Sequence, residues 1–183
     1  MPRMIHTEAW EYLKTIEDKS FDAILTDPMY DSALDVAELR RVTKGNIIVF
    51  CDPKNQFFKP DEYAFWIKQP APKNYSNHLG RYVEMILIQR AGSVFNSGLE
   101  WPNYIGVYAD SLLKKRDHPF EKPESLLRRL IEIYTKPGDV ILDPFSGSGS
   151  TLRAASATGR RAIGCEIQEK YCVAFWESEY GNR

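Results

Sequence analysis

Apolar residues recur along this chain at two periods, and the alternation between them predicts the architecture. Phe21 to Thr26, Asn46 to Phe50, Tyr82 to Gln89, Asp139 to Leu142 and Ala162 to Cys165 are short apolar or β-branched runs. Runs of this length, bounded by turn residues, read as strands buried on both faces. Helical spacing fills the intervals. Trp10, Leu13 and Ile16 share one side of a helix with Thr7 as its candidate cap, and Asp31 to Thr43 reads as a second helix ended by Gly45. Leu126, Leu127, Leu130, Ile131 and Tyr134 recur at three- and four-residue steps after Pro123 and stop at Pro137-Gly138. Thr151 to Thr158, stopped by Gly159, and Gln168 to Glu179 complete the set. Strands alternating with helices predict an α/β fold: a mostly parallel, twisted sheet with helices on both faces. Asp52 to Pro60 reads as a loop, and Ala91 to Lys122 is the least regular stretch, of a length that marks a functional or disordered loop.

Two of the strands end in an acid followed by proline. Asp27-Pro28-Met29-Tyr30 follows the first, and Asp143-Pro144-Phe145-Ser146-Gly147-Ser148-Gly149 follows the strand at Val140. Strand ends of this kind lie at the carboxyl edge of a sheet, where open α/β folds bind their ligands. In the second motif, small residues let the backbone pass close under a ligand, and the next helix offers free N–H groups. No Gly-Lys-Ser/Thr follows, so the turn is not a P-loop, and the third glycine of a dinucleotide fingerprint is missing. Glu166 stands nineteen residues beyond Gly147, at the end of the next strand. There a carboxylate either accepts hydrogen bonds from ribose hydroxyls or caps the helix that begins near Gln168. Asp143, one step before the turn, is placed for a ligand's ammonium group. A cofactor with a nucleoside at one end and an amino acid at the other suits both acids, and S-adenosylmethionine fits that description.

The first motif suits a different ligand. Asp27 and the carbonyl of Pro28 are two acceptors for one exocyclic amine, drawing its lone pair out of conjugation with its ring. Tyr30 offers a flat face for a flipped-out base, a contact worth about 1–3 kcal/mol. No strong base is required, because the amine proton becomes acidic only as a new bond to nitrogen forms; positioning and electrostatics carry the reaction. The alternative is an ordinary strand-end turn with a packed tyrosine.

Bulk properties restrict the classes without choosing among them. The 183 residues suit one domain, and 43% hydrophobic with 27% charged residues is ordinary for a soluble protein. A formal charge of −1 supplies no global field for nucleic acid. Arg40-Arg41, Lys114-Lys115-Arg116, Arg128-Arg129 and Arg160-Arg161 are local clusters of the kind more often solvated than bound to phosphate. Cys51, Cys165 and Cys172 lack C-x-x-C spacing and His6, His78 and His118 are scattered, so neither a disulfide framework nor a metal site is expected. No signal-peptide core opens the chain and no apolar run is long enough to span a membrane, which leads to the expectation of a reducing, cytoplasmic setting.

Together the motifs resemble the DNA amino-methyltransferases that act on adenine N6 or cytosine N4. The order, catalytic motif first and cofactor motif last, is similar to their β-type, circularly permuted arrangement. Asp27-Pro28-Met29-Tyr30 matches the family's Asp-Pro-Pro-Tyr except at Met29, and Asp143 to Gly149 matches its cofactor loop. His118-Pro119-Phe120-Glu121-Lys122-Pro123 resembles the segment that precedes that loop and touches the cofactor; Trp66-Ile67-Lys68 and the strand holding Glu84 resemble later catalytic-half motifs. The resemblance implies a Rossmann-like methyltransferase fold in a single catalytic domain over residues 1–183. It implies Asp27, Pro28, Met29 and Tyr30 as catalytic residues. S-adenosylmethionine would be held by Asp143, Phe145, Ser146, Gly147, Ser148, Gly149, Glu166, Ile167, His118, Lys122 and Glu8, the last standing where the family usually has an aspartate.

The implied activity is transfer of a methyl group to adenine N6 in DNA, with the base flipped out of the stack; aspartate at the first motif position favours adenine over cytosine N4. The segment 93–117 is short for a target-recognition region. Lys114, Lys115 and Arg116 there are candidate phosphate contacts, and Trp101 and Tyr104 are candidate stacking or loop-packing residues. That brevity keeps RNA or single-stranded DNA open as substrates, and Met29 keeps open a non-catalytic subunit that binds cofactor or DNA. A homodimer would enlarge the footprint on DNA.

Overall fold

Eight strands pair into one sheet, in a computed structural model that describes residues 1–29, 34–52, 54, 56–68, 83–91, 105–107 and 121–181. They are β1 (Arg3–His6), β2 (Phe21–Thr26), β3 (Thr43–Cys51), β4 (Glu62–Lys68), β5 (Val83–Gln89), β6 (Ile105–Val107), β7 (Val140–Asp143) and β8 (Arg161–Glu166). Their spatial order is β1-β8-β7-β2-β3-β5-β4-β6. Only β5 runs against the rest, between β3 and β4. Five described helices flank the sheet: α1 (Ala9–Leu13), α2 (Val36–Val42), α3 (Glu124–Tyr134), α4 (Ser150–Ala157) and α5 (Glu169–Tyr180).

The uninterrupted apolar runs are explained by two cores, one on each face. Leu25 and Ile48 point into a cluster with Leu126 and Leu130 of α3, Leu152 of α4 and Phe175 of α5. Their chain neighbours Ile24, Ile47 and Val49 point the other way, against Leu13 of α1 and Leu39 and Val42 of α2. A strand of period two that is covered on both sides has no polar position to spare.

Several boundaries differ from the expected ones, for physical reasons. The first helix is capped by Glu8 rather than Thr7: the Glu8 carboxylate accepts the N–H of Glu11 at 2.9 Å. The second helix begins only at Val36, where Asp35 caps it through the N–H of Glu38. Gly45 does not end that helix. Helix α2 passes directly into β3 at Thr43, and Gly45 lies within the strand, where the β2–β3 register shifts between Phe21 and Ala23. A Cβ on Gly45 would lie 1.7 Å from the carbonyl oxygen of Asp22, so the glycine serves a close backbone approach. Gly45→Ala is therefore expected to lower stability by more than about 3 kcal/mol in urea unfolding; an unchanged midpoint would mean that the two strands shift apart without cost. Trp66-Ile67-Lys68 belongs to β4, and β6 falls within the stretch expected to be irregular.

Among the described residues, the basic clusters make contacts within the fold. Arg41 donates to the carbonyls of Leu13 and Ile16 and pairs with Glu38 and Asp18, fastening α2 to the turn after α1. Arg160 donates to Thr135 at the start of the α3–β7 turn, and Arg128 pairs with Glu124 along α3.

Candidate active site

Strands β2 and β7 are parallel neighbours, with Ile24 opposite Leu142. From β7 the chain winds through α4 to β8 on one side, and from β2 through α2 to β3 on the other. The connections diverge between these two strands, which opens a crevice at their carboxyl ends. Both acid–proline motifs lie at that crevice. The hydroxyl of Thr26 donates to Asp143 Oδ1 at 2.7 Å, a contact between residues 117 apart in sequence.

Asp143 is buried, and its carboxyl is pushed up to about 6, chiefly by burial, with the charge of Asp27 acting in the same direction. Hydrogen bonds from Thr26, Thr151 and the N–H of Phe145 oppose the rise but do not cancel it. Its partners among the described residues are two hydroxyls and an amide, with no cation among them. The glycine turn folds over this carboxyl. Ser146 donates its hydroxyl to the carbonyl of Asp143 and its N–H to Cys165 of β8. Gly149 has φ +80°, and a Cβ there would meet the Phe175 ring at 2.4 Å. Only glycine lets the turn enter α4 so close to α5.

Glu166 ends β8 beside the same turn. One carboxylate oxygen accepts the N–H of Gly147 at 2.9 Å, and the other accepts the N–H of Gln168, the N-cap residue of α5, at 2.7 Å. The carboxylate thus ties the glycine turn to the next helix start. Ile167 is exposed beyond it, and its carbonyl meets His6 Nε2 at 3.0 Å. Glu8 follows β1, which pairs with β8 through His6 and Glu166, and so stands along the same edge. The ring of Phe145 packs edge-on against Trp10 of α1, with centroids 5.7 Å apart.

Asp27, one residue past β2, lies beside a group of side chains drawn from three other strands and the approach to α3. Lys122 Nζ lies 2.6 Å from Asp27 Oδ2 and 3.0 Å from Glu84 Oε2. The same ammonium sits 5.2 Å from the Phe50 ring centroid and 5.9 Å from that of Trp66. Burial pulls the Lys122 pKa down, but the charges and hydrogen bonds of Asp27 and Glu84 together outweigh it and leave it above the ordinary lysine value. Topology explains the meeting. Strand β5 is antiparallel, so its first residues lie at the carboxyl edge of its neighbours, with Met85 opposite Cys51. Helix α3 leads back to the start of β7, so the residues before it lie at that edge too. Next to Lys122, Glu121 pairs with Arg153 of α4 at 2.7 Å, and Arg153 donates to the carbonyl of Ser148. Met29 is exposed.

The structure therefore brings Asp27, Asp143, Ser146 to Gly149, Glu166 and Lys122 to one edge of the sheet, with Glu8 farther along it. Tyr30, His118, the segment 93–117 with Trp101 and Tyr104, and the cluster Lys114 to Arg116 lie outside the described residues, apart from strand β6 within that segment. Thr26, Glu84 and Arg153 were not singled out as site residues by sequence reasoning. Thr26 had a signal, being the polar residue that closes an apolar strand; Arg153 had only its charge in a helix of small residues. Among the described residues, no cluster of His, Cys, Asp and Glu is arranged to hold a metal, and no helix is long and apolar enough to cross a membrane.

Known proteins share this fold. The structure of the M1.HpyAVI–SAM complex superposes with a TM-score of 0.75 at 26% identity, covering 97% of this chain and 100% of that one. The cytosine-N4-specific PvuII DNA methyltransferase shares the fold at 17% identity and a TM-score of 0.72, over 95% of this chain and 84% of its own. The DNA adenine methyltransferase YhdJ of Escherichia coli is 51% identical over 55 residues, 30% of this chain and 19% of YhdJ. The matched stretches span a quarter or less of the curated relatives' length. A DNA methylase family model matches residues 36–177, beginning after the Asp27 motif. By that match over most of its length, the chain belongs to the N6/N4 DNA methylase family.

Proposed function

We propose that this chain transfers a methyl group from S-adenosylmethionine to the N6 amino group of adenine in DNA. One observation carries the reading: the carboxylate after β2 and the glycine turn after β7 share one crevice, joined by the Thr26–Asp143 hydrogen bond. The residues present fit the cofactor. It carries positive charge, and Asp143 is a buried carboxyl with no cation among its described partners. Asp143 would meet the ammonium group, the backbone from Phe145 to Gly149 would pass beneath it, and Glu166 with Ile167 and Glu8 would border the nucleoside. When bound, the cofactor supplies an electrophilic methyl group on a sulfonium.

The chain's own residues supply the rest. Asp27 and the Pro28 carbonyl accept the N–H bonds of the amine, which localises its lone pair on nitrogen and orients it. The extra proton on the alkylated nitrogen is acidic enough to leave through the Asp27 carboxylate. Flipping the base into the crevice makes the amine reachable, and Tyr30 is the side chain assigned to stack on it. Aspartate rather than serine at the head of the motif favours adenine, as does the similarity to YhdJ, an adenine enzyme.

Incubation of the chain with methyl-labelled cofactor and duplex DNA, single-stranded DNA or RNA tests the reading. Label recovered as N6-methyladenine from duplex DNA is the expected result. N4-methylcytosine would change the base, and label confined to RNA or single strands would change the substrate. Cofactor binding without transfer to any of them would indicate a non-catalytic subunit.

A further inference from the structure

We infer that Lys122 is a positioning residue for Asp27, anchored by Glu84, and that its ammonium fixes the orientation of the carboxylate that receives the target amine. This rests on the proposed amine site at Asp27. The family resemblance assigned the segment around Lys122 to the cofactor. The geometry points instead to the base side of the crevice, because the ammonium lies within 3.0 Å of two carboxylates and over the rings of Phe50 and Trp66. Its side chain is only 8% exposed. A buried ammonium bridging two acids is a rigid strut, since moving it would strand a charge away from water.

Among the described residues, the acids coupled to this cluster are Asp143 at the end of β7, through Asp27, and Glu84 on β5, through Lys122, while Asp52 after β3 acts with Glu84 on Cys51; Lys122 is the cation that pairs with Asp27 and Glu84. Without Lys122, the negative charge of its neighbours would push Asp27 toward its protonated form. A protonated Asp27 would offer a weaker acceptor to the amine. Removing the ammonium should therefore impair catalysis most at low pH, with cofactor affinity spared. A lysine that touched the cofactor would behave the opposite way.

The test combines carboxyl-carbon NMR titration of Asp27, its resonance assigned by Asp27→Asn, with pH profiles of kcat and calorimetric cofactor affinity. In Lys122→Met the Asp27 titration and the acid limb of kcat are expected to rise together by about one pH unit or more. On the acid limb kcat should fall by about tenfold for each unit of that rise and recover in part by pH 8.5, with cofactor Kd within about threefold. Lys122→Arg, which keeps a cation able to bridge two carboxylates, should restore the limb. Lys122→Met/Glu84→Gln removes one of the opposing charges and should return part of the activity; it also keeps the test open if the single variant does not fold. An unmoved Asp27 titration, or a tenfold loss of cofactor affinity with an unchanged acid limb, would overturn the role. If the wild-type protein transfers no methyl group while the titration still moves, the proposed function fails and the Lys122–Asp27 coupling stands.

Discussion

Replacing Asp27 by alanine is expected to lower methyl transfer by at least about a thousandfold, while cofactor affinity stays within about threefold. The size of the effect follows from what the side chain does in the crevice. It is one of two acceptors for the amine, and the Pro28 carbonyl alone would leave one N–H bond without a partner in a largely water-excluded site. The fold should survive. Lys122 keeps Glu84 at 3.0 Å after the substitution, so its buried charge is not left alone. Single-turnover rates with labelled cofactor, paired with calorimetry, separate the two quantities. Equal losses of rate and affinity would place Asp27 in the cofactor site and remove the base-side assignment.

Asp143→Asn should gain stability and lose function together. A carboxyl pushed up to about 6 holds its proton in the folded state over a range where the unfolded chain has already released it. Between roughly pH 4 and 6 the native state therefore binds more protons, and stability falls as pH rises through that window. Above it the cost is complete, on the order of 3 kcal/mol. Asparagine keeps an oxygen for Thr26 and for the N–H of Phe145 but carries no charge. The variant should consequently melt several degrees above wild type at pH 7.5, and the gap should close near pH 4. Cofactor affinity should drop at least about tenfold, since the charge facing the ammonium is gone. In the wild type, affinity should strengthen as pH rises through about 6, because binding a cation favours the ionised carboxylate. Thermal unfolding and calorimetry at the two pH values measure both effects. A variant no more stable than wild type at pH 7.5 would show that Asp143 already has a compensating partner in the free protein. The exchange of stability for a charged binding site is the usual relation at functional positions.

Local order was legible wherever it had a local cause. The α3 stripe from Leu126 to Tyr134 and the strand–turn–helix–strand–helix order after Asp139 correspond to the observed elements within a residue or two, because helical spacing and glycine stops act between near neighbours. The misread positions had causes far away in sequence. Gly45 resembles a helix stop, yet its purpose is to let β3 pass within bonding reach of the Asp22 carbonyl. Strand β4 was not expected, although Tyr63 to Ile67 is an apolar run just after Pro60; its place in the sheet is set by β5 and β6.

The two acid–proline motifs, the glycine turn and the acid nineteen residues beyond Gly147 were readable from the chain alone, since each reflects a backbone requirement within a few residues. What only the tertiary structure decided was which charges meet. Asp27 comes from the end of β2, Glu84 from the start of the reversed strand β5 and Lys122 from the approach to α3, and sheet order places them on one ammonium. Side-chain type records what a residue is able to do; its partners follow from strand direction and register, which are set by the burial of both sheet faces rather than by any neighbour in sequence.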